Sequence, residues 1–410
     1  MTRTEIIDAA FRVWGLNFYR KTSLSQLAGE LKVSKPALYR HFRNKQALTD
    51  AMTERFLDDF ASSIRTDFES AVSEKDADKG ISTIIESISG FFARNVYALV
   101  FSITNIYDRN LDGQTIVKKL KLRNVDMAAL KLVMERKYTD DPKVVRMVFT
   151  TLTFLMSNFH KINCSMLNPP TDDKIQKITA EISDTIKNGL KFPAKNAVID
   201  FEEKEKQVEK MPLNTQAEPF FKAIAEAVAE AGPWDVSMEM VAKRLGLSKS
   251  SLYGHFKNKK DMLRRLFATE FKRIIEFAQS GIKLSNDPAE QLYLGIFSIA
   301  VYLRSRPEIL VAMDWIRTRK LELGKPDKHM EIFRLFEDVD IESMRNSTEE
   351  DRQRFSHWIL FLLINVLTYP NRNNPMASIR TSGTYSTLEV QNSDIRMLFK
   401  FITLGLGGFL

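Results

Sequence analysis

The chain has 410 residues, 44% of them apolar and 27% charged, which is long enough for two or three folded domains and argues against a chain disordered as a whole. Its formal net charge of +8 suits a polyanionic partner, without choosing between DNA, RNA and acidic lipid. A single cysteine, Cys164, excludes an internal disulfide and fits a reducing compartment.

The start, MTRTEIIDAAF, breaks its apolar pattern with Glu5 and Asp8, so no signal peptide is expected. Ile7, Ala10, Phe11 and Trp14 are spaced i, i+3, i+4, i+7, and so are Leu24, Leu27, Ala28 and Leu31; each set predicts one stripe of an amphipathic helix. Ser23 stands just before the second stripe, where an N-cap belongs. Residues 34–42 predict a short helix capped by Ser34, with Pro36 in the first turn. Leu38 and Phe42 share its inner face and can pack on Leu24, Leu27 and Leu31, while Lys35, Pro36, Tyr39 and Arg40 point away. A short helix with one buried stripe and a basic, aromatic outer face, held by a preceding helix, is what a DNA major groove accepts. Asn44 and Lys45 then open another helix, and a helix N-terminus beside a lysine is a phosphate site. Residues 1–50 hold nine Lys and Arg against four acids, a balance of +5, so the excess charge is concentrated in this small module.

The remainder of the first half, residues 51–193, is expected to be a helical regulatory and dimerisation domain that ends in two long helices, at 142–162 and 173–190. Residues 194–214 are charged, poor in glycine and end in Met211-Pro212, which predicts a partly helical, solvated linker.

The first module then repeats. SKPALYRHFRNKQAL at 34–48 returns as SKSSLYGHFKNKKDM at 248–262, an offset of 214 residues without a gap. Phe221, Ile224, Ala225 and Val228 match the first stripe, Met238, Val241, Ala242 and Leu245 match the second, and Ser237 matches Ser23. Residues 215–264 are therefore expected to be a second DNA-binding domain, and 265–410 a second helical domain that again closes in two helices. No run of strands is visible, and the fold class expected is all-α. The longest apolar run, residues 358–369, is too short to span a bilayer and is interrupted by Asn365; a cytoplasmic protein with no membrane partner is expected.

The pattern L-A-x-x-L-x-V-S-x-x-x-L-Y-x-H-F-x-N-K-x-x-L at 27–48, and V-A-x-x-L-G-L-S-x-x-x-L-Y-x-H-F-x-N-K at 241–259, resembles the N-terminal domain of the tetracycline-repressor (TetR) family. Each half also has the length of one family subunit. The resemblance implies two tandem TetR-like subunits, each a helix-turn-helix domain followed by a helical ligand-binding and dimerisation domain, forming a pseudo-dimer within one chain. It implies a double-stranded DNA operator as partner, read as an imperfect palindrome, a repressing role, and a small-molecule effector of unstated class. By similarity, Lys35, Pro36 and Ala37 approach base edges with Arg40 beside them, and Ser23, Tyr39, His41 and Lys45 hold phosphates. In the second half the same roles fall to Lys249, Ser250 and Ser251, and to Ser237, Tyr253, His255 and Lys259. Phe91, Phe92, Tyr97 and Phe101 in the first half, and Tyr293, Phe297, Tyr302 and Trp315 in the second, are candidates to line an effector pocket, with core packing as the alternative for each.

Two departures matter. The turn between the helices usually holds glycine, as at Gly246, but the first copy has Lys32, which costs about 1 kcal/mol if the turn needs positive φ. Pro36, Ala37 and Arg40 become Ser250, Ser251 and Gly254, so the two heads cannot present the same surface.

Three rivals bear on the reading. Of the five histidines, His41 and His255 belong to the motif, His329 and His357 are isolated, and His160 with Cys164 offers only two ligands at helical spacing; no enzyme, metal or cofactor is expected. An interaction protein that keeps the fold but has lost DNA binding draws support from Lys32 and Gly254. An assembly of two fused chains would carry four heads.

Overall fold

The structure, a computed structural model, describes residues 2–17, 23–102, 113–163, 170–192, 199–213, 219–319, 334–368 and 390–410. Every regular element among these residues is helical. The chain divides into two compact units, residues 1–187 with 409–410, and residues 188–408.

Unit 1 begins with α1 (Arg3–Asn17), α2 (Leu24–Glu30) and α3 (Lys35–His41), and continues into the 29-residue α4 (Lys45–Ser73). It proceeds through α5 (Ala77–Arg94), α6 (Val96–Phe101), α7 (Gly113–Lys121) and α8 (Ala129–Met134), and closes with α9 (Pro142–Asn163) and α10 (Asp172–Asn188). Boundaries follow capping chemistry: the Asp76 carboxylate accepts from the amides of Asp78 and Lys79 at 2.9 and 3.3 Å, satisfying donors that the first turn of α5 cannot pair. Buried Leu48, Met52, Phe56, Phe60, Ile64 and Phe68 recur every four residues along α4, which packs against α5, where Ile81, Ile84, Ile85 and Ile88 are buried. One helix thus starts in the small N-terminal module and ends in the larger helical core.

Unit 2 repeats the plan. After α11 (Phe201–Glu209) come α12 (Pro219–Asp235), α13 (Met238–Arg244), α14 (Lys249–His255) and α15 (Lys259–Ile282). Its core adds α16 (Pro288–Ser305), α17 (Pro307–Arg319), α18 (Glu349–Leu367) and α19 (Asn392–Leu404). Asp287 caps α16 as Asp76 caps α5, accepting from Ala289 and Glu290 at 2.9 Å each. The long closing helices expected in both halves are present as α9, α10, α18 and α19.

Within the described part of the segment 194–214, residues 199–213, one face of a helix departs from the expected solvated character. This helix, α11, packs on α16, with Val208 fully buried and Glu205 only 4% exposed. Arg396 of α19 donates to both Glu205 oxygens, at 2.7 and 2.8 Å; the Tyr293 hydroxyl donates at 2.5 Å and the Asn392 amide at 3.0 Å. Lys204 pairs with Glu290 at 2.6 Å. Glu205 and Lys204 thus find partners in the core, while Asp200, Glu202, Glu203, Lys206, Glu209 and Lys210 stay exposed. Ahead of the segment, Lys191 adopts φ 51° and the Leu190 amide donates to the Ile402 carbonyl of α19 at 3.0 Å.

Candidate nucleic-acid interface

Both heads are built by side chains acting within three residues of themselves. Ser23 caps α2 in a reciprocal box: its hydroxyl accepts from the Gln26 amide at 3.2 Å, and its own amide donates to the Gln26 side chain at 2.6 Å. Ser34 caps α3, accepting from the Ala37 amide at 3.3 Å, with Pro36 in the first turn, where no amide is needed. Asn44 caps α4 through the Ala47 amide at 2.8 Å. In unit 2 the same three offices fall to Ser237, Ser248 and Asn258, which accept from Met240, Ser251 and Asp261 at 3.2, 3.0 and 2.9 Å.

The turns are alike as well. α2 ends with the Lys32 amide donating to the Gly29 carbonyl and the Val33 amide to the Ala28 carbonyl, both at 3.0 Å. α13 ends with Gly246 donating to Lys243 at 3.2 Å and Leu247 to Ala242 at 2.9 Å. This is the paired C-terminal closure that needs a left-handed residue, and Lys32 and Gly246 supply φ of 53° and 66°. The turn therefore has its ordinary shape in both copies, and the lysine carries the strain anticipated for it.

Beneath each short helix lies an apolar anchor. Leu27 and Leu38 are fully buried and Phe42 nearly so, as are Val241, Leu252 and Phe256 in unit 2. Burying a leucine or phenylalanine contributes about 1.5–3 kcal/mol, enough to hold a seven-residue helix that could not stand alone in water. The Arg3 guanidinium sits 4.7 Å above the Phe42 ring and that of Arg265 5.7 Å above Phe256, covering the anchors with charge.

The outward faces carry the residues expected to meet DNA. Lys35, Pro36 and Arg40 are exposed, Tyr39 is 49% exposed, and Ala37 and His41 are half-buried. On α14, Lys249, Ser250, Ser251 and His255 are exposed and Tyr253 is 48% exposed. The two faces differ in how their groups are engaged. The Ser248 hydroxyl lies 2.8 Å from those of both Ser250 and Ser251. Lys249 lies 4.0 Å from Glu239, and the His255 ring packs on Phe220 at 4.5 Å. Lys45, at the start of α4, is half-buried beside the Trp14 ring at 5.7 Å, and burial pushes its ammonium pKa down. A phosphate there would stabilise the charged form.

The expected pocket residues lie in the cores. Phe91 meets Phe60 edge-on at 5.1 Å and Phe92 at 5.3 Å, and Phe101 meets Phe11 of α1 at 5.0 Å. Tyr97 is half-buried on α6. Tyr293 stacks on Phe297 at 5.8 Å besides bonding Glu205, and the Tyr302 hydroxyl donates to Glu270 at 2.8 Å. The Trp315 side chain lies outside the described residues, as do Cys164 and His329. His160 is buried, with Nε2 at 2.8 Å from the Phe92 carbonyl oxygen. Sequence reasoning passed over Glu205, whose partners Tyr293, Asn392 and Arg396 stand 88 to 191 residues away, and Glu270, which besides Arg273 three residues on meets Tyr302 and Arg306, 32 and 36 residues away. Among the described residues no helix is long and apolar enough to cross a membrane.

Comparison with known proteins places a family on the same two segments. The family described as bacterial regulatory proteins, tetR family, matches residues 6–52 and 220–266. The HTH-type transcriptional repressor ComR of Escherichia coli K12 is 27% identical over 123 residues, which cover 30% of this chain and 58% of that relative. The chain thus aligns with little more than half the length of that relative. A solved structure of the TetR family transcriptional regulator PfmR from Thermus thermophilus is 20% identical, covering 44% of this chain and 95% of that one at a TM-score of 0.34.

Proposed function

We propose that this chain, a tetR-family regulator with two tandem units, binds a double-stranded DNA operator through both of its helix-turn-helix heads and represses transcription. The observation that carries the reading is the recurrence, 214 residues apart, of one complete reading head: serine cap, left-handed turn, second serine cap, apolar anchor and exposed Lys-Tyr face. Regulators of this kind read two half-sites about one helical turn, or a multiple, apart, and ordinarily need two chains to do so. Here a single chain carries both heads and acts as an intramolecular pseudo-dimer. Because Pro36, Ala37 and Arg40 face Ser250, Ser251 and Gly254 across the repeat, the operator is an imperfect palindrome. Release by a small molecule taken up among the aromatic side chains of either core completes the reading.

The test is binding of the purified chain to duplex DNA from beside its own gene, followed across salt. Contact with about six phosphates gives a slope of log affinity on log salt of about −5. Native mass measurement of the complex gives one chain per duplex. A salt-independent response, or no shift of the DNA, would leave an interaction protein that keeps the fold, and two chains per duplex would replace the pseudo-dimer with a four-headed assembly.

A further inference from the structure

The two heads are not electrostatic equals. Residues 1–50 carry nine cations and four acids, a balance of +5; residues 215–264 carry eight and six, a balance of +2. The difference reaches the exposed faces. Arg40 stands exposed in the last turn of α3 with no acidic partner within ion-pair distance among the described residues, and Lys35 is in the same condition. The residue matching Arg40 is Gly254, where an added Cβ would meet nothing within 4 Å. Lys249, matching Lys35, lies 4.0 Å from Glu239, which replaces Ser25. At the start of α15, Asp261 replaces Ala47; it accepts from the Lys257 amide at 3.2 Å and pairs with Arg264 and Arg265 at 3.0 and 3.3 Å, so a carboxylate that engages two arginines stands where α4 has a methyl group.

Resting on the DNA-binding reading above, we infer that the first head supplies the larger share of the affinity, and that Arg40 makes its half-site require a guanine that the half-site under the second head does not. Arginine presents a fork of donors that matches guanine O6 and N7, whereas a glycine presents nothing to a base edge. The hydroxyls of Ser250 and Ser251, both within reach of the Ser248 hydroxyl, give the second head a weaker and less selective surface. If Arg40 instead held a phosphate, its loss would weaken binding evenly across sequences.

The experiment selects bound sequences from a pool of random-sequence duplexes with the full chain and with Arg40→Ala, Gly254→Arg and Glu239→Gln. Arg40→Ala keeps a helix-forming residue, and the open space at Gly254 accepts the arginine, so both variants fold; circular dichroism checks this. The full chain is expected to select unequal half-sites, with a guanine preference confined to one. Arg40→Ala removes that preference, worth about 5- to 150-fold at the one base pair. Gly254→Arg creates it in the other half-site and makes the two alike. Glu239→Gln frees Lys249 and steepens the salt slope by up to about 1. Equal half-sites with the full chain, or an even loss of affinity with Arg40→Ala, overturns the inference and leaves DNA binding standing. Retention of no duplex at low salt overturns both.

Discussion

Lys32 and Gly246 occupy the same turn, 214 residues apart, and share the left-handed conformation at φ of 53° and 66°. Only one of them is suited to it. A non-glycine residue there costs about 1 kcal/mol, because its Cβ crowds the following carbonyl. Lys32→Gly is expected to stabilise unit 1, raising its thermal midpoint by about 2–4 °C. Gly246→Ala is expected to destabilise unit 2 by a similar amount, and for backbone reasons alone, since an added Cβ meets nothing within 4 Å. Thermal unfolding of the three chains checks both signs. A neutral Lys32→Gly would mean that the exposed lysine recovers its cost elsewhere.

Ser34 and Ser248 offer a separation of stability from surface charge. Replacing a serine cap by alanine costs about 1 kcal/mol. Ser34→Ala should therefore lower the thermal midpoint of unit 1 and weaken DNA binding together. Ser34→Asp keeps the capping oxygen and should keep the midpoint, yet it places a negative charge on the face proposed to meet DNA. Binding should then fall while stability does not. Parallel melting and DNA-binding curves separate the two, and a Ser34→Asp chain with full affinity would argue against α3 lying near phosphates.

Much of this was readable in the sequence because the information is local. A cap needs a residue and an amide three positions on, a turn needs one permissive φ, and an anchor needs Leu38 and Phe42 four apart; all of these lie within nine residues. α11 was different. Phe201, Glu205 and Val208 do fall on one face at helical spacing, but the middle position is charged and the surrounding EEKEK reads as solvated. The partners that turn Glu205 into a core residue come from α16 and α19, 88 to 191 positions later. No local pattern announces such a pairing. The same holds for Tyr293 and Tyr302, whose hydroxyls find carboxylates that only the folded chain brings near.

The buried Glu205 makes unit 2 sensitive to acid. Burial by itself would raise its pKa, but hydrogen bonds from Arg396, Tyr293 and Asn392 outweigh that penalty and hold it below its ordinary value of 4.5. A carboxylate with a lowered folded pKa contributes stability that is complete above its unfolded value and is lost as pH falls through the folded one. Unit 2 should accordingly begin to lose stability below about pH 4.5, starting at the α11–α19 contact. Arg396→Ala strands the buried carboxylate and is expected to cost about 3–5 kcal/mol at neutral pH. Hydrogen exchange of the α11 amides across pH checks this. Protection unchanged by acid or by the substitution would mean that α11 is held by Phe201 and Val208 alone.

Phe56 joins the first head to its core. It lies on α4 with its ring 5.8 Å from Phe60, 6.3 Å from Phe91 and 6.0 Å from Phe101, and Phe101 in turn meets Phe11 of α1 at 5.0 Å. The residue 214 positions on is Glu270, fully buried, which accepts from the Tyr302 hydroxyl at 2.8 Å and pairs with Arg306 at 3.5 Å. One joint is thus made of aromatic rings and the other of buried charge. Removing a buried phenylalanine costs about 3–5 kcal/mol through lost transfer energy and the cavity left behind. Phe56→Ala should therefore loosen α1 and α6 along with α4, and lower the protection of unit 1 amides to exchange. Unit 2 should be left unchanged. Glu270→Ala should do the converse, at a cost of about 3–5 kcal/mol, because the buried Arg306 loses one of its two carboxylates. Exchange measured by mass on both variants reads each unit separately. If Phe56→Ala opened the α4 core but left α1 protected, the ring cluster would be filling space without joining the head to the core.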